Sequence, residues 1–270
     1  MHAGLTTGEA TTLLEANLWS MWANFGRGER CRLIDEPDVM RFETPLAYVP
    51  YNTIVRFRVE DRVDEVIDSI LDAYRARGVP LVWIVHPTAG PADLGSRLGA
   101  RGLVEAEVVP GMVASLDGIP PAGPIPAGIE VTEVGPGDEC PFIELVAWRY
   151  SLPPEAATTL RSVMTAARFG EPGSSTRGWV ARRDGVVLSK VVLHLGRGVA
   201  GIYGVATKPE ARGLGLARLL TIAALEEARA SGSEIAVLHS TPMAVSLYQG
   251  LGFEAAADFR LYSTPGTLHL

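Results

Sequence analysis

Apolar residues recur along this chain in two rhythms, and the order of the rhythms repeats. From Asp61 to Arg77 they fall at helical spacing. An apolar run, PLVWIVH (Pro80 to His86), a short helical segment and RGLVEAEVVPGMVAS follow. The same succession returns as a helical pattern from Leu214 to Ser231, the run EIAVLH (Glu234 to His239), a short helix and LGFEAAADFRLYS. Short apolar runs bounded by turn residues suit buried strands, whereas spacing of three to four residues marks one buried helix face. Gly102-Leu103 stands where Gly252-Phe253 stands, and after each the pattern predicts a strand, a break and another strand. A repeated order of elements predicts two related units.

The segment between them, LDGIPPAGPIPAG (Leu116 to Gly128), sets four prolines among glycines and cannot sustain a helix or an interior strand. We therefore expect a first domain over 1–118, a linker over 119–127 and a second domain over 128–270. The second opens with a strand from Ile129 to Val134 and helical segments from Asp138 to Trp148 and from Pro154 to Arg168. Strands Thr176 to Arg182 and Val186 to Leu195 flank Asp184-Gly185, a hairpin dipeptide, and Arg197-Gly198 turns the chain into a strand from Val199 to Ala206. Three consecutive strands ahead of a crossover helix predict an α+β fold, with a mixed, mainly antiparallel sheet flanked by helices. A doubly wound fold would alternate strand and helix throughout.

The stretch most suggestive of chemistry is GIYGVATKPEARGLGLARLL, Gly201 to Leu220: strand, glycine-rich turn, amphipathic helix. Gly213 and Gly215 let the backbone approach a ligand, and the first helical turn presents unpaired N–H groups with the positive end of the helix dipole. A pyrophosphate suits that position, with Arg212 and Arg218 at its edge. A dinucleotide fingerprint fails because Arg218 occupies the third glycine position, and a Walker loop fails for want of Gly-Lys-Ser/Thr. A plain tight turn into a helix is the competing reading of the two glycines.

Arg212, Gly215 and Ala217 fit the Arg/Gln-x-x-Gly-x-Gly/Ala pattern, preceded by Pro209. One helix and one strand later comes TPMAVSLYQGLGF, Thr241 to Phe253. With both motifs in order, the sequence resembles the GCN5-related N-acetyltransferase (GNAT) superfamily, as two such domains in tandem. The resemblance implies acetyl-CoA as co-substrate, with Arg212, Gly213, Leu214, Gly215, Leu216, Ala217 and Arg218 at the pyrophosphate. Val205, Ala206 and Thr207 would pair with the pantetheine arm, and Tyr248 would return a proton to the departing thiolate. Thr241, where the family commonly has Asn, is counted with the cofactor contacts, and Gly250 is a second departure.

The strands from Val186 to Leu195 and Val199 to Ala206 carry no carboxylate to serve as general base. His239, His194, Glu144 and Glu171 are the alternatives, and His239 is taken with Tyr248 as the catalytic pair. The first unit has VRFRVEDRVDEV where the loop belongs, with no glycine, with Glu60 and Asp61 at the helix mouth, and with Leu98 opposite Tyr248. It is expected to be a degenerate copy without a cofactor site that shapes the acceptor pocket, with Trp19, Trp22, Tyr48 and Tyr51 as candidate lining.

Composition narrows the picture. With 47% hydrophobic and 20% charged residues the chain can bury a substantial core. A net charge of −7 gives no overall pull toward nucleic acid or anionic membrane. Cys31 and Cys140 make neither a disulfide framework nor a zinc site. The N-terminal MHAGLTTGEATTLL lacks the pattern of a secretory signal, and no apolar run is long enough for a transmembrane helix. The expectation is a cytoplasmic N-acetyltransferase acting on a primary amine of a small molecule or peptide, with a homodimer left open. A silent acyl-CoA sensor and a transferase of longer acyl groups are the alternatives.

Overall fold

The computed structural model describes residues 4–135 and 140–267. In the first half come α1 (Thr7–Trp22), β1 (Arg32–Asp35), β2 (Val39–Glu43), β3 (Thr53–Phe57), α2 (Val63–Ala76), β4 (Val82–Val85), α3 (Leu94–Ala100) and β5 (Val104–Ser115). The second half has β6 (Glu130–Glu133), α4 (Cys140–Arg149), α5 (Ala156–Ala166), β7 (Thr176–Arg183), β8 (Val186–Gly196) and β9 (Val199–Thr207). It ends with α6 (Leu216–Ala230), β10 (Ile235–His239), α7 (Val245–Gln249) and β11 (Glu254–Ser263). The predicted start of the helix near Asp138 lies outside the described residues.

All strands join one 11-stranded sheet in the order β1-β2-β3-β4-β11-β5-β10-β9-β8-β7-β6. Among the described residues only the β3/β4 and β9/β10 ladders are parallel, so the sheet is mixed and mainly antiparallel, as the strand pattern predicts. Its middle is an exchange. The last strand of the chain, β11, lies between β4 and β5 of the first half, and β5 pairs with β10 of the second. The equivalent contacts Ile235↔Ser115 and Val82↔Ser263 relate the two halves by an approximate two-fold through the β5/β11 ladder. The expected breaks within these two strands are absent. Each runs through, and the ladder absorbs its irregularity as two register shifts, with an extra residue on β11 at Ala255/Ala257 and one on β5 opposite Leu261/Tyr262.

Equivalent helices begin alike. Arg62 caps α2 with φ 52° and Gly215 caps α6 with φ 74°, both left-handed, which explains why each helix starts two residues later than its apolar pattern. At the other end, Leu103 N–H donates to the Leu98 carbonyl (3.2 Å) as Phe253 N–H does to that of Tyr248 (3.0 Å), so Leu98 does occupy the place of Tyr248.

Helix α1 packs across the centre of the sheet, against strands of both halves. Its start is fixed by a capping box in which Thr6 and Glu9 satisfy each other's backbone N–H groups. Asn17, fully buried on this helix, donates to the carbonyls of Gly196 and Val199 (both 3.1 Å) and accepts from the Tyr203 hydroxyl (2.7 Å). It ties the first half to the turn between β8 and β9. Truncation strands two buried carbonyls and a hydroxyl, each costly to leave unpaired. Asn17→Ala should therefore lower stability by about 2–3 kcal/mol, read as a drop in the urea midpoint.

Candidate active site

The site begins where β9 and β10 part. Their parallel pairing runs from Ala236↔Ala200 to Leu238↔Ile202 and stops. Beyond it β10 stays with β5, through His239↔Gly111 and the Ser240 N–H to the Pro110 carbonyl (3.0 Å). On its other side β9 remains paired with β8 as far as Ser189↔Thr207. A wedge therefore opens between Tyr203–Thr207 and His239–Thr241, and its β9 side is an unpaired strand edge. A cavity of about 240 Å³ occupies it, lined by Val205, Ala206, His239, Thr241, Tyr248 and, from the first half, Trp22 among others.

Of the sequence-predicted residues, Val205, Ala206, His239, Thr241 and Tyr248 thus meet at one cavity. Thr207 continues the same edge, with its hydroxyl turned to Ser189 (2.8 Å). Thr241 stands at the N-terminus of a 3-10 turn, Pro242–Ala244, without a side-chain capping bond. The loop lies outside the cavity at the head of α6, with Arg212, Gly213, Leu214 and Gly215 exposed, Leu216 buried, and Ala217 and Arg218 half-buried. Gly213 (φ 79°) and Gly215 (φ 74°) are left-handed, a conformation that favours glycine, and the space beside each is open.

Tyr248 is 6% exposed, meets Phe253 edge-on at 6.0 Å, and burial pushes its hydroxyl up to about 12, so the phenol stays protonated at neutral pH. His239 is held edge-on to Phe259 at 4.3 Å, and burial pushes it down to about 4, so the imidazole is neutral. Both of its ring nitrogens are buried and meet no hydrogen-bond partner among the described residues. That is unusual, because buried polar atoms are nearly always paired. The first half supplies the comparison. His86 stands at the equivalent point just past the end of β4, and there Nδ1 meets Glu15 (2.9 Å) while Nε2 accepts from the Phe57 N–H (3.3 Å). Thr88 and Arg58 close around the same carboxylate. The slot that is open beside β9 is filled beside β3 by the protein's own side chains.

The strand β8 contributes a residue outside the sequence expectations, Lys190. Lys190 is buried at the cavity wall, with its amine donating to the Gly204 carbonyl and lying 4.7 Å from the Phe142 ring centroid. Burial, aided by the Arg149 guanidinium, pushes it down to about 7. Opposite it β9 carries one extra residue, since Lys190 pairs with Ala206 and Val192 with Tyr203. Gly204 in this bulge has φ 55°, and a Cβ there would sit 2.9 Å from the Lys190 amine. A single lysine inside the apolar run VVLSKVVLHLG was the available sequence signal.

The other candidates lie elsewhere. His194 is buried between Thr176 and Ser20 (2.9 Å each), a satisfied structural histidine that burial pushes down to about 4. Glu144 is exposed and Glu171 pairs with Arg168; neither lines the cavity. Among the aromatics, Tyr51 lines an adjoining chamber, Trp19 donates to the Val55 carbonyl (2.9 Å), and Tyr48 is exposed. Among the described residues no Asp or Glu lines the cavity, no cluster of metal-ligating side chains occurs, and no helix is long and apolar enough to cross a membrane.

Residues 142–253 match the acetyltransferase (GNAT) family. A mycothiol acetyltransferase from Thermomonospora curvata is 31% identical over 199 residues, covering 71% of this chain and 65% of that protein. One from Cellulomonas flavigena is 30% identical over 183 residues, covering 62% and 52%. The chain thus spans between half and two thirds of these relatives' length. Among solved structures, a GCN5-related N-acetyltransferase from Kribbella flavida has a TM-score of 0.68 at 19% identity, covering 95% of this chain and 96% of its own. A tandem GNAT protein from the clavulanic acid biosynthesis pathway has a TM-score of 0.60 at 15% identity, covering 97% and 96%. The likeness of fold therefore takes in both halves. Residues 142–253 thus carry the match to the GNAT acetyltransferase family, and the chain as a whole shares its fold with a tandem GNAT protein.

Proposed function

We propose that this protein transfers the acetyl group of acetyl-CoA to a primary amine by direct attack on the thioester, at one cofactor site per chain in the second half. The observation that carries the reading is the contrast between His239 and His86: equivalent positions, one filled by the protein and one left with unpaired polar atoms facing an open strand edge. In this reading the pantetheine arm pairs with the edge Val205–Thr207 as an added strand. The pyrophosphate sits at the head of α6 over Gly213 to Ala217, with Arg212, Arg218 and Thr241 around it. His239 finds its missing hydrogen bond on the bound co-substrate.

The chemistry then balances. The amine nitrogen attacks the thioester carbonyl, and a backbone N–H at the β9 bulge receives the oxyanion. As the tetrahedral intermediate collapses, the C–S bond breaks and the sulfur takes the Tyr248 proton. Lys190 accepts the proton shed by the nitrogen. A base is most effective when its pKa lies near the working pH. That favours Lys190, at about 7, over His239, at about 4.

The acceptor in this reading is a small molecule and not a peptide, because the cavity lies beneath α1 and between the halves. Residues 1–118 and 128–270, joined by 119–127, are the two copies, and the first carries acidic Asp64 and Glu65 where a phosphate would need to bind. The proposal takes the protein as a cytoplasmic enzyme, and applies equally to a monomer or a homodimer.

Acetyl-CoA at about a hundredfold over its Kd adds about 2.7 kcal/mol of stability, so the melting temperature should rise by roughly 5 °C or more in a dye-based melt; no rise would refute the reading. Tyr248→Phe should lower kcat by roughly 10²-fold with the acetyl-CoA KM little changed, measured by thiol release. Undiminished turnover would remove Tyr248 from the mechanism.

Lys190→Met should abolish the rise in kcat/KM that the wild type shows as pH increases through about 7. The same lysine bears on stability. Its folded pKa lies below its unfolded value of 10.5, so between the two the unfolded chain holds a proton the native state lacks. Native stability therefore rises with pH across this window. The stability gain of Lys190→Met over wild type should be largest below pH 7 and fade by about pH 10, as measured by urea denaturation.

A further inference from the structure

Trp22, Pro50, Tyr150, Lys190, Tyr203 and Gly204 line the cavity described above and also a second chamber of about 170 Å³ behind it. They form a neck between the two. The chamber is walled by Phe142 and Val146 of α4, by Met164 and Ala167 at the end of α5, and by Met21 and Phe25 of the first half. Among the described residues no carboxylate and no guanidinium lines it; Lys190, in the neck, is its one cationic group.

Several of the polar groups that reach the chamber are already engaged, while the buried Trp22 indole N–H in the neck meets no partner among the described residues. The Tyr203 hydroxyl donates to Asn17 (2.7 Å), the Asn24 carbonyl oxygen accepts from Arg27 (3.2 Å), and the Thr176 hydroxyl meets His194 (2.9 Å). Tyr51 and Tyr150 meet edge to face at 5.9 Å, and burial raises both phenols, so they stay neutral. A sugar or a polyamine carries more hydroxyls or charges than these few groups can meet, and leaving them without partners opposes its binding. An apolar body meets no such opposition. A dry cavity of about 150 Å³ holds a benzene molecule, so one ring or a branched aliphatic group fits the space.

The direction of attack says which reactant enters. If Lys190 removes the proton from the attacking nitrogen, that nitrogen lies in the neck, with the thioester on the β9 side and the rest of the acceptor on the other. We infer that the second chamber holds the body of the acceptor, so that the substrate is a primary amine carried on an aromatic or branched aliphatic frame. This rests on the acetyl-transfer reading above.

The test is a panel of benzylamine, isobutylamine, glucosamine and spermidine with acetyl-CoA, assayed by thiol release, with the acetyl-CoA-induced rise in melting temperature recorded alongside. Wild type should use the first two with kcat/KM at least tenfold above the last two. Ala167→Phe and Val146→Phe, on different helices, should each raise the benzylamine KM at least tenfold while the acetyl-CoA-induced rise persists. Equal or better use of glucosamine or spermidine, or no use of either apolar amine, overturns the inference. So does a folded chamber-filling variant that leaves benzylamine use intact, or one that spares benzylamine but loses octanoyl-CoA, which would make the chamber an acyl-chain pocket. Absence of any acetyl-CoA-induced rise in wild type would remove the acetyl-transfer reading and this inference together; a rise without the apolar preference would remove this inference alone.

Discussion

The strand exchange at the centre of the sheet is the constraint from which the site follows. Because β5 crosses over to pair with β10 through His239↔Gly111, the end of β10 is held by the first half while its pairing with β9 stops at Leu238↔Ile202. A strand cannot follow two diverging neighbours, so the ladder to β9 is the one released. Gly111 makes the junction close. A Cβ there would press within 3 Å of Phe259 on β11 and Leu14 on α1. The first half therefore shapes the opening in the second.

The approximate two-fold produces two wedges, and a buried wedge has to satisfy the polar groups it uncovers. The first half does so internally. Burial alone would raise the Glu15 carboxyl, but His86 and Thr88 outweigh it and hold it lowered, so the carboxylate is ionised in a fully occupied network. The equivalent surroundings of His239 hold no such partner. Divergence between the copies has thus made one wedge self-sufficient and left the other in need of a ligand, in the proposed reading.

Local features of the fold were legible in the sequence. The helix patterns, the Asp184-Gly185 hairpin and the glycines that take positive φ all depend on residues near one another in the chain, and so did the correspondence of Leu98 with Tyr248. The exchange was not legible, because period-two and continuous apolar runs look the same whichever strand they pair with. The sequence pattern suggested a break within the segment that forms β5, where Pro110 stands. Its carbonyl nonetheless accepts from Ser240, and the strand runs on. Lys190 escaped notice for a related reason: its chemistry comes from burial against Phe142 and the bulge at Gly204, which are tertiary facts. His194 and His239 looked alike as strand histidines, and only their surroundings separate them.

The charge distribution bears on how an amine becomes a nucleophile here. Many sites would recruit a carboxylate to draw in and deprotonate an ammonium, yet Lys190 and Arg149 line this cavity and no acid does, among the described residues. Two like charges 5 Å apart repel by about 3 kcal/mol at an effective dielectric of 20, so an ammonium is opposed beside a protonated lysine. The same burial that depresses Lys190 also disfavours the charged acceptor. In the proposed reaction both amines therefore meet as neutral species, and the lysine is left uncharged to take the proton that only appears once the nitrogen has bonded to carbon. Desolvation does the work that a carboxylate would otherwise do. An apolar frame on the acceptor serves the same end, since it brings the nitrogen into a dry neck without bringing charge with it.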